Sequence, residues 1–178
     1  ASSRVVGVET GRGNFSGGAV VLATGGYAGL WERTTNPTGN RGQGLEMGGR
    51  AGATLADLEF VQFHPPALDF PGAPAYLLSE ALRGEGALLV NASGESVVDP
   101  LLARDVVARA IYRYRLEHGP VYLSMRHLDP HYVHSSFPTI ANHLKQWNLD
   151  LALDPVPVSP AAHYCMGGVL TDTEGRTG

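Results

Sequence analysis

Two histidines stand at the ends of stiff segments. His64 lies inside EFVQFHPPALDF, residues 59–70, an apolar run with Pro65 and Pro66 directly behind the ring. A residue that precedes proline is pushed out of helical backbone angles into extended ones. The proline pair therefore holds His64 in one backbone state, which suits a side chain that has to be aimed. His163 follows an extended run containing Pro155, Pro157 and Pro160 and precedes Gly167-Gly168. Rings held this way can hydrogen-bond an anionic ligand and change protonation near neutral pH. The plainer reading of each is a hydrogen-bonded core histidine.

Charged groups with the right spacing lie between them. In SEALRGEG, Glu80 and Arg83 are three apart, so a helical turn puts them on one face. Their neighbours Leu77, Leu78, Ala81 and Leu82 are apolar, which favours a half-buried pair over a solvated one. Such a pair can pass protons if a third group joins it. Arg104 is the candidate, because it falls in or near the first turn of a helix, where the macrodipole disfavours a cation. Arg109, Arg113 and Arg115 read as the ordinary solvated face of the same helix. His127, His131 and His134 have the spacing of one helical face, but Asp129-Pro130 interrupts it and no partner ligand is evident, so no metal is expected. GRGNFSG is not a GxGxxG fingerprint, and its place between two strands marks a hairpin turn. There is no Walker motif and no GxSxG.

The elements that must position these groups follow from pattern. Residues 4–10 and 19–23 read as strands joined by the GRGNFSGG turn. Thr24-Gly25-Gly26 ends the second in a loop. A short helix is expected from Gln43 to Ala51, with small residues that allow close backbone packing. Residues 53–63 are extended and end at His64. Ser79 is expected to cap a short helix over 79–83, stopped by Gly84 and Gly86. A strand at 87–90 and an NASGE turn come next. The clearest helix covers 101–117, with Leu102, Val106, Ala110, Ile111 and Tyr114 on one face and Asp99-Pro100 at its start; a cap nearer Arg104 or Asp105 is the alternative. Helices opened by proline are expected at 130–136 and 138–147, and DPVPVSP is extended.

Bulk properties narrow the function classes. The 178 residues are 43% hydrophobic and 17% charged, a composition that can bury a core. A net charge of −4 without a basic block gives nucleic acid no footprint. No apolar run is long enough to span a bilayer. Cys165 is the single cysteine, so no intrachain disulfide forms, and a reducing, cytoplasmic compartment is expected. The abrupt frame at both ends reads as a fragment.

The motifs VVLATGG, TTNP, RGQGLEMGGRAG, EFVQFHPPAL, LLSEALRGEGA, LARDVVARAI and PVSPAAHYCMGGV resemble, in order and spacing, those of the succinate dehydrogenase/fumarate reductase flavoproteins. Within that family, FHPPAL and AAHYCMGG lean toward the branch that oxidises L-aspartate rather than toward the dehydrogenase subunits. The resemblance implies an α+β capping domain inserted in a Rossmann-type (α/β) FAD-binding domain, here partial. Residues 1–56 would be the latter part of the first FAD segment, 57–164 the cap, and 165–178 the start of the return to the FAD domain.

The resemblance also implies roles. Arg104 would exchange a proton with the substrate, with Glu80 and Arg83 as its relay. His64, Ser79 and His163 would hold the carboxylates of a small dicarboxylate such as L-aspartate, fumarate or succinate. Thr24, Gly25, Gly26 and Gln43 would lie against FAD. L-Aspartate would be oxidised to iminoaspartate on the way to quinolinate and NAD, with oxygen or fumarate taking the electrons and quinolinate synthase as a candidate partner. The alternatives are a segment of a succinate dehydrogenase or fumarate reductase flavoprotein and a non-catalytic dicarboxylate-binding module. Three positions depart from the family pattern: Gln43 stands for aspartate, Pro66 for threonine and Ser79 for threonine.

Overall fold

The computed structural model describes residues 4–177. Strands β1 (Gly7–Thr10) and β2 (Gly13–Ser16) pair antiparallel as a hairpin around Gly11 and Arg12. GRGNFSGG is thus partly a strand and not simply a turn. The expected strand at 19–23 does not form. Among the described residues no strand lies beside AVVLA, so its backbone has no ladder partner, and Val21 is 86% exposed. Helix α1 (Gln43–Arg50) matches its expectation. Gly44 is required where it stands, because a Cβ there would lie 1.7 Å from Thr24 Oγ1.

The main body is a five-stranded antiparallel sheet in the order β4-β8-β7-β5-β6. Its strands are β4 (Val61–Leu68), β5 (Leu88–Val90), β6 (Ser96–Val98), β7 (Val121–Ser124) and β8 (Val156–Cys165). A separate ladder joins β3 (Leu55–Ala56) to β9 (Gly168–Val169). Strand β4 does not stop at His64 but runs through both prolines to Leu68. It can do so because it is the edge strand, where a missing N–H breaks no central ladder. Its outer side meets residues 76–78 through Leu68 N–H to Tyr76 O at 2.9 Å and Leu78 N–H to Pro66 O at 3.2 Å.

The short helix α2 (Glu80–Gly84) is capped by Ser79, whose Oγ accepts from Ala81 N–H at 3.3 Å. Helix α3 (Arg104–Glu117) starts later than Asp99-Pro100. Asp99 Oδ1 instead accepts from Leu101 N–H at 2.9 Å in a turn. The carbonyl of Pro100 accepts from the Arg83 guanidinium, and that of Leu102 faces it at 3.5 Å. The buried face of α3 is Val107, Ala108 and Ile111, whereas Leu102 and Val106, expected on it, are 44% and 40% exposed. Helices α4 (Pro130–Ser136) and α5 (Pro138–Lys145) each begin at their proline, as expected. One core joins the sheet to all four of these helices through Leu82, Leu89, Ile111, Leu123, Val133 and Leu144.

Arg115 is not a solvated residue. Its Nη2 lies 2.5 Å from Asp69 Oδ2, and its Nη1 donates to Val158 O at 3.1 Å. The other oxygen of Asp69 meets Arg33 Nη1 at 2.6 Å. One carboxylate therefore ties the 27–40 segment to α3 across the sheet edge. Replacing Asp69 with alanine leaves two half-buried guanidiniums without their counter-ion. Urea denaturation should show Asp69→Ala about 1–3 kcal/mol less stable. An unchanged midpoint would mean that the bridge contributes nothing.

Candidate functional site

Strand β4 and strand β8 face each other across two register shifts, and these aim the histidines. Between Gln62↔Tyr164 and Phe63↔Ala162 the extra residue is His163 on β8. Between His64↔Ala161 and Ala67↔Ser159 the extra residue lies on β4, at the proline pair. A bulge bends its strand and re-aims a side chain. The two rings end with centroids 5.3 Å apart.

Their environments differ. His64 is 2% exposed, and its Nε2 lies 3.0 Å from Leu78 O. A carbonyl only accepts, so Nε2 carries the proton. Nδ1 is then a bare acceptor, buried and without a partner among the described residues. Neither nitrogen is open to a ligand in this conformation, so a carboxylate contact at His64 requires Leu78 or the ring to move. Burial lowers the pKa of His64 from 6.5 to about 4, assisted by the nearby His163, Arg104 and Arg83 and opposed by the Leu78 bond. His163 is half-buried. Desolvation and then the Arg104 charge push it down as well. Both rings are neutral at physiological pH.

Glu80 and Arg83 pair as their spacing suggested, and Arg104 joins them. Glu80 Oε1 accepts from Arg83 Nη2 at 2.8 Å. Glu80 Oε2 accepts from Arg104 Nε at 2.9 Å and also from Arg104 Nη2. The Arg104 bonds, reinforced by the two cationic charges, hold the Glu80 carboxyl below its usual range despite some desolvation. Arg83 is 2% exposed, and burial pulls its pKa down. Arg104 sits at the first position of α3, beneath a backbone cap with no side-chain bond. Glu80 supplies the negative charge that this helix end favours.

Sequence reasoning missed Gln62. Its Oε1 accepts from Arg104 Nη1 at 2.8 Å, which leaves the guanidinium held on two sides. The signal was available, since Gln62 stands two positions before His64 on one strand. A cavity of about 890 Å³ opens beside this group, walled by Trp31, Gln62, Phe63, Arg104, Tyr112 and Met166. That volume is in the range of cofactor and ligand sites.

Thr24, Gly25 and Gly26 form a second place. Gly25 has φ +73°, the left-handed region that favours glycine, and Thr24 lies against Gly44 of α1. Helix α1 begins after Gly42 with no side-chain cap. Gln43 is exposed, and its Oε1 accepts from Arg41 N–H at 3.2 Å. A glycine loop against an uncapped helix start leaves backbone N–H groups toward which a phosphate-bearing cofactor can approach. His127 and His131 are exposed, and His134 bonds Asp150 Oδ1 at 2.8 Å. Among the described residues no three His, Cys, Asp or Glu side chains form a metal-binding group.

A profile of the FAD binding domain family matches residues 3–178, and the chain belongs to that family of flavoproteins. Its curated relatives are more particular. L-Aspartate oxidase of Agrobacterium fabrum (strain C58) is 52% identical over 163 residues, covering 89% of this chain and 31% of that protein. L-Aspartate oxidase of Nostoc sp. (strain PCC 7120) is 45% identical, covering 90% and 30%. The chain thus spans about a third of the length of these relatives. Among solved structures, a quinol-fumarate reductase with menaquinol molecules superposes with TM-score 0.84 at 33% identity, over 92% of this chain and 33% of that one. The Sdh1 complex of Mycobacterium smegmatis with UQ1 gives 0.73 at 32%, over 89% and 29%. The fold is the FAD-binding fold of the succinate dehydrogenase/fumarate reductase flavoproteins, with mixed helix and sheet, and the cofactor it indicates is FAD. No helix among the described residues is long and apolar enough to cross a membrane.

The buried imidazole makes stability depend on pH. Between pH 6.5 and about 4 the unfolded chain takes up a proton that native His64 refuses. Its contribution is therefore complete above 6.5 and is lost as pH falls toward 4. His64→Gln should flatten the slope of unfolding free energy against pH in that window. An unchanged slope would place its source elsewhere.

Proposed function

We propose that this chain is the central segment of an FAD-dependent oxidase that converts L-aspartate to iminoaspartate. Residues 1–56 and 165–178 belong to its FAD domain, and 57–164 form a cap that carries the substrate groups. The observation that carries this reading is the single Glu80 carboxylate shared by Arg104 and Arg83, close enough to the paired imidazoles for their charges to act on each other. The relatives supply the choice of L-aspartate over other dicarboxylates.

Bound FAD supplies the acceptor for the hydride that the substrate gives up. The substrate must also lose a proton, and the protein has to receive it. Arginine is ordinarily a poor base, with a pKa above ~12. Arg104 can serve only if a neighbour takes one of its own protons. Glu80 Oε2, bonded to Arg104 Nε and Nη2, is placed to take it, and Oε1 continues the path to Arg83 Nη2. Gln62 and Glu80 fix the guanidinium plane, so its remaining N–H edge can face substrate. His163 and the free proton of the Ser79 hydroxyl are donors for carboxylate oxygens, and His64 lines the same end of the site. Thr24, Gly25, Gly26 and Gln43 would hold FAD by close backbone approach. The electrons pass on to oxygen or fumarate, and iminoaspartate passes to quinolinate synthase in the cytoplasm.

Full-length protein assayed with L-aspartate and with succinate distinguishes the branches of the family. Turnover of aspartate without succinate supports the oxidase, and the reverse result overturns it. In that protein Arg104→Lys should lower kcat by about 100-fold or more, with KM changed only a few-fold, because lysine cannot reproduce the planar donor edge. Near-normal kcat would remove Arg104 from proton transfer. The 178-residue chain alone should bind succinate and aspartate more weakly than ~1 μM and should purify without FAD. Tight calorimetric binding without FAD would instead favour a non-catalytic dicarboxylate-binding module.

A further inference from the structure

The TTNP motif at residues 34–37 has a task that its sequence does not announce. This loop lies along β8 and bonds to it at successive residues. Arg33 O accepts from Ala162 N–H at 2.9 Å, and Ala162 O accepts from Thr35 N–H at 3.0 Å. Thr34 Oγ1 also donates to Ala162 O at 3.0 Å, and Asn36 Nδ2 donates to His163 O at 2.7 Å. Thr34 and Ala162 form a parallel bridge, so the loop works as a short extra strand. One further bond departs from this backbone pattern. Thr35 Oγ1 lies 2.7 Å from His163 Nδ1.

His163 is the bulged residue of β8, so the ladder to β4 does not fix it. The loop does what the ladder cannot: Asn36 holds its carbonyl and Thr35 holds its ring. We infer that Thr35 is a positioning residue that locks His163 in the Nε2–H tautomer by donating its hydroxyl proton to Nδ1. A hydroxyl can donate or accept, and Thr35 Oγ1 has no other bond among the described residues, so its proton is assigned to the bond with Nδ1; a neutral imidazole has one donor and one acceptor nitrogen, and the ring proton then stays on Nε2. With Nδ1 engaged as the acceptor, Nε2 presents an N–H. That is the form able to bind a carboxylate oxygen without first acquiring a charge. The opposite tautomer would present a lone pair to an anion and repel it. The inference rests on the dicarboxylate reading only for its consequence, since the tautomer itself is a property of the chain.

The tautomer is read directly from long-range ¹H–¹⁵N correlation spectra of protein labelled with ring-¹⁵N histidine, the His163 signals being assigned by their loss in His163→Gln. At neutral pH, His163 should show a pyrrole-like Nε2 and an imine-like Nδ1. Thr35→Val should give a mixture of tautomers, and Thr35→Ser should restore the single form. A wild-type ring protonated at Nδ1, or a Thr35→Val ring unchanged from wild type, overturns the inference without reference to activity. In full-length enzyme, Thr35→Val should raise KM for the dicarboxylate about 10-fold with kcat within a few-fold, and serine should rescue it. A locked tautomer with unchanged KM would leave the lock standing and count against His163 as a carboxylate ligand.

Discussion

The site hangs on one carboxylate serving two cations. Arg83 is buried to 2% exposure, and an unpaired buried charge costs several kcal/mol. Glu80 neutralises it with one oxygen and holds Arg104 with the other. The carbonyl of Pro100 also accepts from Arg83, and that of Leu102 faces it. Helix α3 begins just beyond them at Arg104, and this start brings that guanidinium level with Glu80 and Gln62. The buried cation and the exposed one are thus held by the same carboxylate.

The electrostatics of the neighbouring rings follow from the same crowding. Arg104 and Arg83 lie close enough to oppose a positive charge on His64, and Arg104 opposes one on His163. Two imidazoles 5.3 Å apart, both half or fully withdrawn from water, stay neutral together. Neutral rings serve this site well. They hydrogen-bond without carrying charge, His64 to the Leu78 carbonyl and His163 to Thr35, and do not compete with the arginines for the Glu80 carboxylate.

Much of this was legible in the chain. The Glu80–Arg83 pair, the Ser79 cap and the proline-opened helices α4 and α5 follow from local spacing, and local spacing is what a sequence displays; the meeting of Arg104 with Glu80, distant in sequence, was suggested instead by the awkward place of a cation in a helix's first turn and by the family resemblance. The failures share a cause. The strand expected at 19–23 has β propensity but no partner beside it among the described residues, and pairing is a tertiary fact. The face of α3 was only partly read, because both of its stripes carry apolar residues: Ile111 is buried as expected, but Val107 and Ala108 take the places expected for Leu102 and Val106. Arg115 looked solvated because Asp69 is distant in sequence. Gln62 escaped notice because amide side chains carry no charge signal. For His64 the sequence left open a ligand-facing or a hydrogen-bonded core ring, and in this conformation its Nε2 bonds the Leu78 carbonyl while its Nδ1 is buried.

The two irregularities between β4 and β8 have a joint property. The first adds a residue to β8 at His163, and the second adds one to β4 at the prolines. Each cancels the other's offset, so Val61↔Cys165 and Leu68↔Val158 share one frame while the few pairs between them run one step out. Loss of a single residue at either place would leave that error uncorrected along the rest of the ladder and turn alternate side chains inside out. Shortening this stretch is therefore tolerable only when both strands lose a residue at once, and that double loss would erase the very kinks that set the imidazoles side by side.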